Sequence, residues 1–227
     1  MARRCIVTDL DRCSGCHTCT VACKFENDLG LGNYRCDVLD VGPFGTHPDI
    51  SMYWLPLYCQ QCSNAPCVEV CPTGASFREE NGVVNVDGDL CIGCKLCLSA
   101  CPYSDPDGAK RPSVRWMNTK TGTITKCTLC NHLTATSDGN ENVDDTYDPE
   151  HAVPPCVHNC CNGARYFGDL DEPESAASKA VAAAQAAGKG VYSLEAEGAT
   201  PTALYILSPE ICEWHGMGDG YVLYAKG

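Results

Sequence analysis

The sequence predicts an α+β protein of short strands, hairpins and short helices wrapped around cysteine-rich loops. Three observations carry that prediction. Of 227 residues, 20 are cysteine, and sixteen of these fall into four compact groups. The groups repeat internally in the order A-B-A-B. Between them, strand-like runs and turn signals alternate with the cysteine loops.

Each element follows in chain order. Residues 4–8 (Arg-Cys-Ile-Val-Thr) read as a strand leading into group one: Cys13, Cys16, Cys19 and Cys23. A short helix is predicted through Cys19-Thr-Val-Ala-Cys23. Residues 51–58, apolar and aromatic, lead into group two: Cys59, Cys62, Cys67 and Cys71. Asn81-Gly82, between Phe77 and Val83–Val86, signals a hairpin. Group three is Cys91, Cys94, Cys97 and Cys101, with a short helix through its second half. Thr121-Gly122 joins 113–117 to 123–126 as a second hairpin. Group four, Cys127, Cys130, Cys156 and Cys160, is split by an acidic, turn-rich stretch over 134–155 that reads as an exposed insertion. Residues 174–187 are Ala-rich and read as a helix, and 203–207 and 221–225 as strands. Residues 6–23 align with 84–101 at an offset of 78, pairing Asp9 with Asp87, Asp11 with Asp89 and all four cysteines. At an offset of 89, Cys67, Cys71 and Gly74-Ala75 match Cys156, Cys160 and Gly163-Ala164. Both offsets point to duplication of a unit containing two cysteine groups.

So many cysteines imply a disulfide scaffold, zinc sites or iron–sulfur clusters. Disulfide scaffolds are usually short chains lacking a core, whereas this chain is long and 44% hydrophobic. Group three, completed by Pro102, is C-x2-C-x2-C-x3-C-P, the bacterial ferredoxin run. The logic is steric. Three cysteines at this spacing wrap one cubane, the fourth points to a second cluster, and the proline turns the chain away. Zinc also uses C-x2-C pairs, but it does not need a third and fourth cysteine in this rhythm. The sixteen cysteines therefore read as ligands of four [4Fe–4S] clusters. Each group would give three ligands to one cluster and its last cysteine to another. Spacing alone leaves two pairings open, nested (one with four, two with three) or sequential.

Other features bound the function. The formal charge is −13, and sixteen thiolates around four 2+ cores would add about −8. That excludes a nucleic-acid partner, which needs a basic face. No apolar run follows the charged start, so no signal peptide of its own is expected, and no stretch is long enough to span a membrane. There is no dinucleotide or P-loop fingerprint and no nucleophile elbow. Full cysteine sets leave no iron open to substrate, which points to a non-catalytic electron carrier. Cys5, Cys36 and Cys212 read as structural. Cys161 competes with Cys160, but Cys160 keeps the x3 spacing. His17 and His158, inside the groups, read as solvent-facing or as hydrogen-bond donors near a cluster. Trp54 and Trp116 read as core or as cluster shields.

Four groups in this order resemble the electron-transfer beta subunits of complex iron–sulfur molybdoenzymes, the dimethyl-sulfoxide reductase superfamily. The resemblance covers about residues 4–173. It rests on residues 13–24, 59–75 and 91–103 and on Gly-Ala-Arg-Tyr-Phe-Gly-Asp-Leu-Asp-Glu-Pro at 163–173. It implies nested ferredoxin-like units: an outer one from 1–57 with 120–173, an inner one from 58–119, and a 174–227 extension packing on a partner. It implies four ligand sets: Cys13, Cys16, Cys19 with Cys160; Cys127, Cys130, Cys156 with Cys23; Cys59, Cys62, Cys67 with Cys101; and Cys91, Cys94, Cys97 with Cys71. It implies a large catalytic subunit with a molybdenum or tungsten bis-pterin cofactor. Electrons would come from a quinol-oxidising membrane subunit or a soluble donor. Such subunits act in the cytoplasm or are exported folded with a partner bearing a twin-arginine signal. A free-standing polyferredoxin is the competing reading.

Overall fold

The computed structural model describes residues 2–105, 113–137 and 150–217. The expected strand at 221–225 and residues 138–149 of the expected insertion lie outside them. The chain opens with β1 (Arg4–Asp9), which feeds the first cysteine loop, and α1 (Thr18–Glu26), which leaves it. A long hairpin follows, β2 (Cys36–Thr46) and β3 (Asp49–Tyr58), running from Cys36 opposite Tyr58 to Thr46 opposite Asp49. β3 delivers Cys59 to the second loop. There α2 (Pro66–Glu69) starts at a proline, whose missing N–H is no loss at a helix start. A hairpin of β4 (Ser76–Arg78) and β5 (Val84–Val86) leads to the third loop and α3 (Leu96–Ser99). The hairpin of β6 (Arg115–Asn118) and β7 (Thr123–Lys126) delivers Cys127. α4 (Asn131–Thr134) and α5 (Pro155–His158) carry the fourth group, and β8 (Arg165–Asp169) leaves it. α6 (Ala176–Ala186), β9 (Gly190–Tyr192) and β10 (Leu204–Leu207) complete the described chain.

Both expected hairpins form, and one turns differently from its dipeptide signal. Between β4 and β5 the Gly82 amide donates to the Glu79 carbonyl at 3.0 Å and the Glu79 amide to Val83 at 2.8 Å. Asn81-Gly82 thus closes a longer turn instead of being its two central residues.

The tail does not stand apart. β1 is one of the two inner strands of a four-stranded sheet ordered β8-β1-β10-β9. It pairs antiparallel with β8 and parallel with β10 through Val7–Leu204, Thr8–Tyr205 and Asp9–Ile206. Its residues from Cys5 to Asp9 are all buried, so both faces need cover. α6 covers one face, packing Ala177 and Ala184 against Cys5, Val7 and Ile206. On the other face Ile6 and Phe167 pack with Tyr58, Cys36 and the cysteines of groups one and four. The part of the expected extension from Ala176 to Leu207 therefore folds onto its own chain. The reason is that β1 and β8 alone would leave an apolar edge and face exposed. Ser175 starts α6 by accepting from the Ser178 amide at 3.1 Å.

Candidate metal centres

The sequence repeat is repeated in the backbone. Gly15 and His17 have φ of +66° and +59°, and their counterparts 78 residues on, Gly93 and Lys95, have +67° and +63°. His17 and Lys95 are the residues that precede α1 and α3. Left-handed residues inside such a loop turn amides inward and form a concavity suited to an anion, such as an iron–sulfur cluster. Glycine is required at both loop positions. A Cβ on Gly15 would fall 2.4 Å from the Trp54 indole, and one on Gly93 2.3 Å from the Gly122 carbonyl oxygen. Trp54 thus roofs the group-one loop.

The loops bring the cysteines together across groups. Cys59, Cys62 and Cys67 line one cavity with Cys101. Cys91, Cys94 and Cys97 line another with Cys71. Cys127, Cys130 and Cys156 line a third with Cys23. In the fourth set Cys13 faces Cys19 and Cys160, and Cys16 adjoins it through Cys161. Each of the three cavities takes three cysteines from one group and the last cysteine of another.

The sets lie in a row. Cys19 faces Cys156, Cys127 faces Cys59, and Cys97 faces Cys67. The sets that hold Cys13 and Cys91 are therefore the ends, and the sets that hold Cys127 and Cys59 lie between. Burial follows that order. Cys23, Cys127, Cys130 and Cys156 are all buried, whereas Cys16 and Cys94, equivalent in the repeat, are exposed at the two ends.

The donor chemistry suits a cluster. Among the described residues no three His, Cys, Asp or Glu side chains converge as a single-ion site requires. Each of the three cavities is instead lined by four cysteines, the number of ligands that a [4Fe–4S] cluster takes. Backbone amides point at the sulfurs: Ser76 donates to Cys71 at 3.3 Å, Ala164 to Cys160 at 3.3 Å and Ile124 to Cys91 at 3.4 Å. Burial, then the thiolates of Cys59, Cys101 and Cys67, pushes Cys62 up to about 12. Burial likewise pushes Cys101 and Cys156 up to about 11. Four thiolates at one cavity repel one another, and a cationic iron core supplies the missing counter-charge.

Sequence reasoning missed three buried cations. Arg115 is fully buried and donates from Nη2 to the Cys67 sulfur at 2.7 Å and to Ser76 Oγ at 3.1 Å. Arg165 is buried, donates to Cys36 at 3.5 Å and lies over the Tyr58 ring. Lys126 is buried, and its ammonium donates to the carbonyls of Val84 and Cys127. Burial alone would lower the pKa of all three; the surrounding thiolates raise both arginines above the usual value, whereas at Lys126 burial outweighs the pull of Cys59, Cys127 and Cys67 and leaves its ammonium below its usual value. A charged residue in a short strand reads as exposed, which hid all three.

The remaining candidates fall into place. Cys36, taken as structural, sits beside Cys19, and its thiol hydrogen-bonds to the Cys19 sulfur and pulls that group down. Cys5 is buried beneath α6, and Cys212 donates to Ser51 Oγ at 3.4 Å. Cys161 is exposed, 3.6 Å from Cys16. His17 and His158 are exposed, and Trp116 is buried in β6.

Comparison with known proteins adds a family. The model of the 4Fe-4S dicluster domain matches residues 50–170, which include groups two, three and four. The thiosulfate reductase electron transfer subunit of Salmonella typhi is 41% identical over 167 residues, 73% of this chain and 76% of that one. The arsenate respiratory reductase iron–sulfur subunit of a Shewanella species is 35% identical over 201 residues, 78% and 86% of the two chains. A tetrathionate reductase subunit of Salmonella typhimurium is 37% identical over 175 residues, 76% and 60%. Among the described residues no helix is long and apolar enough to cross a membrane.

Proposed function

The chain belongs to the family of iron–sulfur electron-transfer subunits built on the 4Fe-4S dicluster domain, and from that premise we propose that it carries four [4Fe–4S] clusters in a line. The ligand sets are Cys13, Cys16, Cys19 with Cys160; Cys127, Cys130, Cys156 with Cys23; Cys59, Cys62, Cys67 with Cys101; and Cys91, Cys94, Cys97 with Cys71. The observation that carries this reading is the crossed three-plus-one lining of three cavities. A sequential pairing would have to break those linings. A bound cluster supplies one-electron chemistry between its 2+ and 1+ states. The chain's own residues hold the sulfurs, direct amides at them and bury all four cysteines of the Cys127 set. The exposed end sets, marked by Cys16 and Cys94, are where electrons enter and leave.

On this reading the chain serves a large catalytic subunit with a molybdenum or tungsten bis-pterin site. A quinol-linked membrane subunit or a soluble donor lies on the other side. Groups one and four form an outer unit and groups two and three an inner one. The names of the relatives suggest a partner that reduces oxyanions of sulfur or arsenic. The test is to purify the tagged chain without oxygen from its host, with whatever stays bound. A large subunit carrying molybdenum or tungsten supports the proposal. An intact, iron-replete preparation with neither metal would instead make the chain a free polyferredoxin.

A further inference from the structure

Three buried cations have no carboxylate partner among the described residues, and the four cysteine sets explain why. Arg165 lines the cavity of Cys23, Cys127, Cys130 and Cys156 and also faces Cys19 of the neighbouring set. Lys126 lies between Cys127 of that set and Cys59 and Cys67 of the next. Arg115 lines the cavity of Cys59, Cys62, Cys67 and Cys101 and also faces Cys97 of the last set. The row therefore alternates: set, Arg165, set, Lys126, set, Arg115, set.

The arginines are under-partnered. Nε and Nη1 of Arg115, and Nε and Nη2 of Arg165, are buried without an acceptor. An unpaired buried charge is costly, and orphaned buried donors ask for an explanation. Among the described residues, the negative groups placed to satisfy them are the sulfurs around the cavities.

The duplication supplies an independent observation. Arg165 lies 89 residues beyond Ser76, the offset that relates groups two and four. Ser76 is too short to reach a cavity centre, and it is the side chain to which Arg115 donates. Each half of the protein thus has a guanidinium at the equivalent place, from β8 in one and delivered by β6 onto β4 in the other.

Resting on the four-cluster reading, we propose that Arg165, Lys126 and Arg115 are positioning residues of the relay, each placed between two successive clusters to raise the reduction potentials of both. A fixed positive charge stabilises the reduced, more negative state of a cluster, and net charge and hydrogen bonds to sulfur are what set its potential. A cation in each gap also offsets repulsion between adjacent anionic clusters, so an electron can rest on either side of it.

The test uses the full chain, purified without oxygen with its partners. Iron is counted and each cluster is titrated by redox-poised EPR. The count in the wild type tests the four-cluster reading by itself. In Arg115→Gln with full iron, two of the four clusters should show a reduced-to-oxidised ratio lowered about tenfold at fixed potential, a fall of about 59 mV for one electron. The other two should shift less than threefold. Arg115→Lys keeps the charge and should hold all four within threefold of the wild type. Full iron with no shift in Arg115→Gln would overturn the proposal, as would the same shift at all four clusters. If Arg115→Gln loses iron, Arg115→Lys decides: native potentials support the proposal, and lowered ones overturn it by making hydrogen-bond geometry the determinant.

Discussion

The loop geometry makes Gly93→Ala far more damaging than its size suggests. At φ +67° any Cβ costs about 1 kcal/mol. At Gly93 the new methyl would also lie 2.3 Å from the Gly122 carbonyl oxygen, a backbone atom that cannot rotate away. Gly122 closes the β6–β7 turn by donating to Asn118 at 2.8 Å, and Ile124 just beyond it donates to Cys91 at 3.4 Å. Displacing the turn therefore pulls on the cysteine cavity. Overpacking of this kind adds about 1–3 kcal/mol, so the total is about 2–4 kcal/mol. For a chain of this length that lowers Tm by about 5–15 °C. Gly122→Ala is the control, with φ +69° and nothing within 4 Å of its Cβ. It should lower Tm by only about 2–4 °C and leave iron content unchanged. Gly93→Ala should also lower iron content, because the disturbed loop holds Cys91 and Cys94. Thermal melts and iron assays on the two variants in parallel decide the matter. Equal effects would refute the close approach.

Other outcomes follow from the same geometry. Cys94→Ser should damage the cluster of the Cys71, Cys91, Cys94 and Cys97 set and break the relay; unchanged iron content and electron-transfer rate would refute its assignment. Asp11 accepts from the Ser208 amide at 2.8 Å and from Lys189 at 2.8 Å, tying the group-one approach to the tail. Asp11→Asn should cost about 1 kcal/mol, read by denaturant melts. Burial raises the Asp11 carboxyl, but the bonds from Lys189 and Ser208 outweigh it and hold the group below the usual range. Its contribution is therefore complete above the ordinary aspartate range and is lost as pH falls through the lower folded value, so the gap between wild type and variant should close in acid. Cys62 and Cys101, pushed up to about 12 and about 11, are thiols at neutral pH before loading. Cluster loading should then release protons and strengthen as pH rises, measurable by pH-stat reconstitution; pH-independent loading would contradict this. By the same linkage the cluster-free fold should weaken as pH climbs from about 9 through the raised values.

Much of this was legible in the sequence, because its signals are local. The four cysteine groups, the two hairpins, α6 and β10 each announce themselves within a few residues. The left-handed pairs at Gly15 and His17 and at Gly93 and Lys95 follow from the same repeat that aligned the cysteines. What sequence reasoning missed depends on contacts between distant segments. Nothing local says that β10 lies parallel to β1, about two hundred residues away, so the tail read as an appendage. Nothing in Arg-Trp-Met-Asn says that its arginine points inward to sulfur. One signal was available: the offset of 89 puts Arg165 opposite Ser76, a charge with no counterpart inside a repeat. Cys36 was hidden for a similar reason, since its neighbour Cys19 lies in another element.

The central claim is four clusters on one chain, and the most direct measurement is the content of iron and acid-labile sulfide per chain after purification without oxygen. Four clusters of four predict about sixteen of each. About eight of each would contradict the claim, leaving a single two-cluster unit and a relay half as long.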